Sequence, residues 1–342
     1  MTIKRIGFAC KWSILNQKNE ISSVPEFNTG GTTLAWTKRQ KREVAEQKIW
    51  DTMVRNIEAT RKLVERVGIL NEQLRMVRIT SDMLPFYTHA DWRDYWSRSD
   101  VVQYCEGGFG EIGRIARDRN IRLSFHPGQF TVLASANPDV VDKSIEEFEY
   151  HATMAAWMGF GRSFQDFKIN VHISGRQGPD GIRKAYQRLS PEARNCITIE
   201  NEEMSWGLTD CLTLGDLVPI VLDIHHNWIH TGEYIESNDD NTKRVIDSWR
   251  GVRPTLHYSV SREDVLKQHP HEQRPNFRTL IAAKLNKQKL RAHSDYYWNH
   301  AVNEWALTFR NDFDIMCESK GKNLASFKLY EVANAKQTKE SI

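Results

Sequence analysis

Nine side chains able to hold a metal ion sit at or near the ends of short apolar runs, one run after another along this chain. The runs are LSFHPGQ with His126, INVHISG with His172, ITIENEE with Glu200, IVLDIHHN with Asp223, His225 and His226, TLHYS with His257, and DIMCESKG with Glu318; His293 lies in RAHSD. An apolar run that closes on an imidazole or a carboxylate reads as a buried strand delivering a ligand to the mouth of a barrel. Core packing does not account for the repetition, because Asp and Glu are rarely buried without a partner. His, Asp and Glu without Cys suit Mn, Zn or Fe better than Mg or Ca. Two or three such ions about 3.5–4 Å apart clamp the attacking and leaving oxygens of a phosphodiester displacement. Glu200 is central enough to bridge two cations, and Asp223 and His226 leave one strand close enough to reach adjacent ones. His226 has the better spacing from Asp223, so His225 is read as structural, as are His89, His151, His230, His269, His271 and His300.

Such ligands need rigid strands behind them. Candidate strands lie at 3–10, 76–81, 122–127, 167–174, 196–201, 219–225, 255–259 and 313–318, separated by helical patterns such as 39–67, 138–158 and 321–332. No Gly-x-Gly-x-x-Gly follows the first strand, so an α/β fold of the (β/α)8 barrel type is expected rather than a doubly wound sheet. The metal site then falls at the C-terminal face of the strands. No linker or repeat divides the chain, which reads as one domain over 1–342 with a disordered tail at 333–342. Connections 11–38, 83–99 and 258–292 are longer than a barrel needs, and each follows a strand, which puts all three on the ligand face. The last carries eight Lys or Arg against three Asp or Glu. Its Lys284, Lys287, Lys289 and Arg291 are spaced to line one phosphate-binding strip.

Composition narrows the class. Hydrophobic content of 40% and charged content of 27% are those of a soluble globular protein. No apolar run approaches the ~18 residues of a membrane span, and the start lacks the apolar core of a signal peptide. Five cysteines without a C-x-x-C pair argue for a reducing compartment. The expected location is the cytoplasm or nucleoid (nucleus or organelle in a eukaryote), as a monomer. A net charge of +3 allows a polyanionic partner where the basic residues cluster.

HPGQF at 126–130, IENEE at 199–203, LDIHH at 222–226, HYS at 257–259 and MCESKGK at 316–322 resemble the UV damage endonucleases. These are relatives of endonuclease IV in one barrel superfamily. The similarity runs from RIGFAC to about Lys328. It implies a barrel with two or three metal ions, generally Mn2+, that incises damaged double-stranded DNA. Incision falls 5′ of pyrimidine dimers, 6-4 photoproducts and some other lesions, leaving a 3′-hydroxyl. Carried over by position, the ligands are His126, His172, Glu200, Asp223, His226, His257, His293 and Glu318, with Glu200, Asp223, His257 and Glu318 central to catalysis. Gln129 and Phe130 match the residues that wedge into the duplex opposite the damage. Phe8 stands where the family commonly has Tyr, keeping a stacking face for the lesion. Thr255 stands where the family has a lysine that can be carboxylated, so metal retention is expected to depend more on added Mn2+. Three other readings stay open. An abasic-site endonuclease would share the metals, a sugar isomerase or epimerase would need no basic rim, and a damage-binding protein would need no metal cage.

Overall fold

The computed structural model describes residues 3–340. Its strands are β1 (Ile6–Ala9), β2 (Ser13–Leu15), β3 (Ile21–Ser23), β4 (Met76–Arg78), β5 (Arg122–Phe125), β6 (Lys168–His172), β7 (Ile197–Glu200), β8 (Ile220–Val221), β9 (Thr255–Tyr258) and β10 (Asp314–Cys317). Every residue of β1, β7, β9 and β10 is buried, as parallel strands covered on both faces require. Eight strands run parallel in the order β8-β7-β6-β5-β4-β1-β10-β9. A parallel bridge between Asp223 and His257 closes the circle, where the His257 N–H donates to the Leu222 carbonyl at 3.0 Å. The expected barrel is present, with all eight strands inside their expected bounds.

The outer layer follows from amphipathic helices, among them Arg42–Gly68, Ser99–Asp118 and Pro138–Trp157. The last begins as its sequence suggests, with Pro138 in the first turn and the Asn137 side chain accepting from the Asp139 N–H. Helices pack closely where side chains vanish: a Cβ on Gly113 would lie 1.8 Å from the Met158 carbonyl oxygen. The last helix, Asn323–Glu340, runs into the segment 333–342 that the sequence marks as a tail. Its end, ANAKQTKE, is rich in strong helix formers. Residues 341 and 342 lie outside the described part.

The barrel interior is layered. The mouth holds the polar ligands and the middle is packed by Ala9, Met76 and Met316. Gly7 belongs to that middle layer, since a Cβ there would approach the Met76 carbonyl oxygen to 2.6 Å. The floor is held by one carboxylate. Asp314, 0% exposed, accepts from Arg122 Nη1 and Arg253 Nε at 2.8 Å each, and from the Arg5 backbone N–H at 2.8 Å. Arg253 also donates to the carbonyls of Asn311, Arg310 and Phe313. One side chain thereby ties the entries of β1, β5 and β9 to the start of β10. We expect Asp314→Ala to lower the stability by about 3–5 kcal/mol, as when a buried charge loses its partner. Urea unfolding measures this, and a loss of only about 1 kcal/mol, the size found for exposed pairs, would show that the floor is held otherwise.

Candidate metal centre

Period-two alternation decides which side chains reach the centre. In β6, K-I-N-V-H points Lys168, Asn170 and His172 inward; in β7, I-T-I-E points Thr198 and Glu200. Thr255 and His257 share the inner face of β9, and Glu318 follows β10 at the mouth. Asp223 is placed differently. It caps the helix Ile224–Thr231, its Oδ1 accepting from the His226 N–H at 2.7 Å. That bond leaves Asp223 Oδ2 free to face the interior.

The ligand atoms meet. His126, His172 and Glu200 form one group whose atoms lie within 4.8 Å of one another. His126, His257 and Glu318 form a second, and Glu200, Asp223, His257 and Glu318 a third. Glu200 is shared between two of the groups, the position a bridging carboxylate must take. His226 stands beside them, with Nδ1 3.6 Å from Glu200 Oε1 and 3.7 Å from Asp223 Oδ2. His293 holds the Glu318 carbonyl through Nδ1 at 2.6 Å, so only its Nε2 is left to bind a cation.

Buried Glu200 Oε1, Asp223 Oδ2 and His257 Nδ1 have no hydrogen-bond partner among the described residues. Orphaned acceptors of this kind destabilise a fold unless something else satisfies them. His257 Nδ1 lies 3.1 Å from Glu200 Oε1 and 3.4 Å from Glu318 Oε1. Three carboxylates and several imidazoles around orphaned atoms fit divalent cations in type and in convergence.

The electrostatics agree with that fit. Burial pulls the pKa of His172 and His257 down to about 4, so both present neutral nitrogens at pH 7. Burial also opposes the charge on Glu200, but the surrounding imidazoles, His257 first, hold it well below the usual carboxylate range. Glu318 is likewise held low against its burial, by the guanidinium of Arg78, which bonds its carboxylate. Asp223 is pushed up, by burial and then by the neighbouring Glu200 and Glu318 charges. His226 loses by burial but gains more from Asp223 and Glu200, reaching about 9.

Several supporting residues escaped the sequence reading. Asn170 Nδ2 donates to Glu200 Oε2, and Thr198 Oγ1 donates to Asn170 Oδ1 at 2.8 Å. Lys168 Nζ lies 2.9 Å from His257 Nε2, and burial draws its pKa down to about 7. The alternating K-x-N-x-H of β6 carried the signal for Lys168 and Asn170. Thr255 is buried on the same face as His257, and its hydroxyl has no hydrogen-bond partner among the described residues.

The rim departs from expectation at Phe8. Phe8 is 0% exposed and packs edge-on against Trp12 at 5.8 Å between centroids, outside the barrel wall. Alternation puts Gly7 and Ala9 inward instead, so Phe8 offers no stacking face to a lesion. The four basic residues of the 258–292 connection differ in their partners. Lys287 Nζ donates to the His230 carbonyl at 3.3 Å and Arg291 pairs with Glu203 at 2.8 Å, while Lys284 and Lys289 are exposed. Gln129 and Phe130 lie as expected on the exposed loop after β5, with Phe130 84% exposed. His225, read as structural, is one: its Nε2 bonds the Leu290 carbonyl at 3.2 Å and ties the 258–292 connection to the barrel.

Known proteins place this architecture. The chain aligns over 96% of its length with the UV-damage endonuclease of Schizosaccharomyces pombe at 28% identity, spanning 51% of that protein. It aligns over 87% of its length with the UV DNA damage endonuclease of Bacillus mycoides at 25% identity, spanning 86% of that protein. In fold it is similar to the crystal structure of SacUVDE, with a TM-score of 0.68 and 22% identity over 97% of this chain and 99% of that one. Endonuclease IV from Thermus thermophilus shares the fold at a TM-score of 0.52 and 14% identity, over 80% of this chain and 93% of that one. The model of the UV-endonuclease UvdE family matches residues 4–341, and the chain belongs to that family.

Proposed function

We propose that this chain is a divalent-metal-dependent endodeoxyribonuclease that incises double-stranded DNA 5′ of ultraviolet photoproducts and leaves a 3′-hydroxyl. The observation that carries the reading is the convergence of orphaned carboxylate and imidazole atoms at the mouth of the barrel. His126, His172, Glu200, Asp223, His226, His257, His293 and Glu318 would hold the ions, Mn2+ being the favoured metal. Divalent cations bound there supply Lewis-acid neutralisation of the phosphodiester charge.

The remaining work belongs to the protein. Glu200, shared between ligand groups and steadied by Asn170, sets the spacing of the site. His172 and His257, neutral by burial, offer nitrogens that no proton blocks. Arg78 balances Glu318 at the mouth, where a phosphodiester would enter. Recognition falls to the Gln129–Phe130 tip. An exposed aromatic ring can fill the gap left by an unstacked step while the amide bonds exposed base edges.

Two variants test this reading on a duplex with one cyclobutane dimer, supplied with Mn2+. Glu200→Gln replaces an anionic oxygen with a poorer ligand, and incision is expected to fall at least 100-fold, the upper range for a disturbed metal site, with duplex binding kept. Wild-type rates in that variant would remove Glu200 from the site. Replacing Gln129 and Phe130 together by Ala is expected to abolish the preference for the dimer-bearing duplex while leaving Mn2+ binding intact. An unchanged preference would end the wedge assignment. Cutting of an abasic duplex by the unmodified protein, with none of the dimer duplex, would reassign the chain as an abasic-site endonuclease.

A further inference from the structure

Lys168 is 3% exposed, inside the barrel wall, where an apolar residue would pack without penalty. Its one hydrogen-bond partner among the described residues is His257 Nε2, at 2.9 Å. The two residues come from β6 and β9, which are separated in the sheet by β7 and β8, so the contact spans the barrel interior.

The neighbouring histidines are steadied by local backbone. His126 Nδ1 meets the Pro127 carbonyl at 3.0 Å, His226 Nδ1 the Asn201 carbonyl at 3.1 Å, and His293 Nδ1 the Glu318 carbonyl at 2.6 Å. His257 has no carbonyl partner among the described residues; the Lys168 amine takes that place, its uncharged nitrogen accepting the Nε2–H so that Nδ1 keeps its lone pair for a cation. An imidazole has two nitrogens, and engaging one of them orients the other. With Nε2 engaged, Nδ1 points at Glu200 Oε1 and Glu318 Oε1.

We propose that Lys168 is a positioning residue of the metal centre, fixing the His257 ring so that Nδ1 faces the Glu200–Glu318 pair. This rests on the reading of that cluster as a metal site. Lys168 touches neither the ions nor the DNA; it acts through His257 alone. A ring released from Lys168 can turn about its side-chain bonds and withdraw Nδ1 from the shared ligand group.

The test is Mn2+ binding to the full chain by equilibrium dialysis, without DNA. Lys168→Met is expected to weaken binding 10- to 100-fold, the usual effect of losing the outer partner of a ligating histidine. In a His257→Ala background the same change is expected to do nothing further. An unchanged Mn2+ affinity in Lys168→Met would overturn the proposal. So would an equal loss in the His257→Ala background, which would mark Lys168 as a packing residue. Should circular dichroism show Lys168→Met unfolded, Lys168→Gln, whose shorter arm stops short of the ring, replaces it with the same expectations. An unmodified chain that binds no Mn2+ would instead sink the metal-site reading, a result distinct from normal binding that Lys168→Met leaves untouched.

Discussion

Three carboxylates share the mouth of this barrel within a few ångströms, two of them fully buried, and mutual repulsion is the constraint on which the rest depends. Like charges held this close and away from water cannot all stay ionised without positive charge beside them. The protein supplies part of that charge itself: Arg78 bonds Glu318, and His226 stands among Glu200, Asp223 and Glu203. The remainder is a standing electrostatic demand for cations. A stable wall is what lets that demand persist, because a looser fold would relax by moving the carboxylates apart.

The floor and the mouth solve opposite problems. At the floor, guanidinium groups outnumber the one carboxylate, and the excess is spread over backbone carbonyls. At the mouth, carboxylates dominate, and Glu200 Oε1 and Asp223 Oδ2 have no hydrogen-bond partner among the described residues. Between them lies a thin apolar layer of Ala9, Met76 and Met316. Satisfied charge is concentrated at one end of the strands and unsatisfied charge at the other, which is the C-terminal face where barrels of this type carry their chemistry.

The strands were legible because each apolar run is short, bounded and closed by a polar residue, and parallel strands buried on both faces read that way. The same runs pointed to the residues that cluster at the mouth, since Glu200 and Glu318 have no ordinary reason to end an apolar strand. What stayed hidden needed partners remote in sequence. Lys168 lies 89 residues from His257, and Arg291 lies 88 from Glu203, so neither contact leaves a local trace. Phe8 was misplaced by one step of alternation, which transfers a side chain from one face of a strand to the other.

The pairing of β1 with β10 joins residues such as Ile6 and Ile315, almost the whole described chain apart. Contacts of that sequence separation form late, because loop closure must precede any reward from pairing. Glu318, directly after β10, is the last of these carboxylates along the chain, and the pairing of β10 with β1 fixes its place. A partly folded or nascent chain carries most of the histidines but not the finished cage. The topology thus completes the cluster of carboxylates and imidazoles at the mouth only when the first and last strands of the barrel have met.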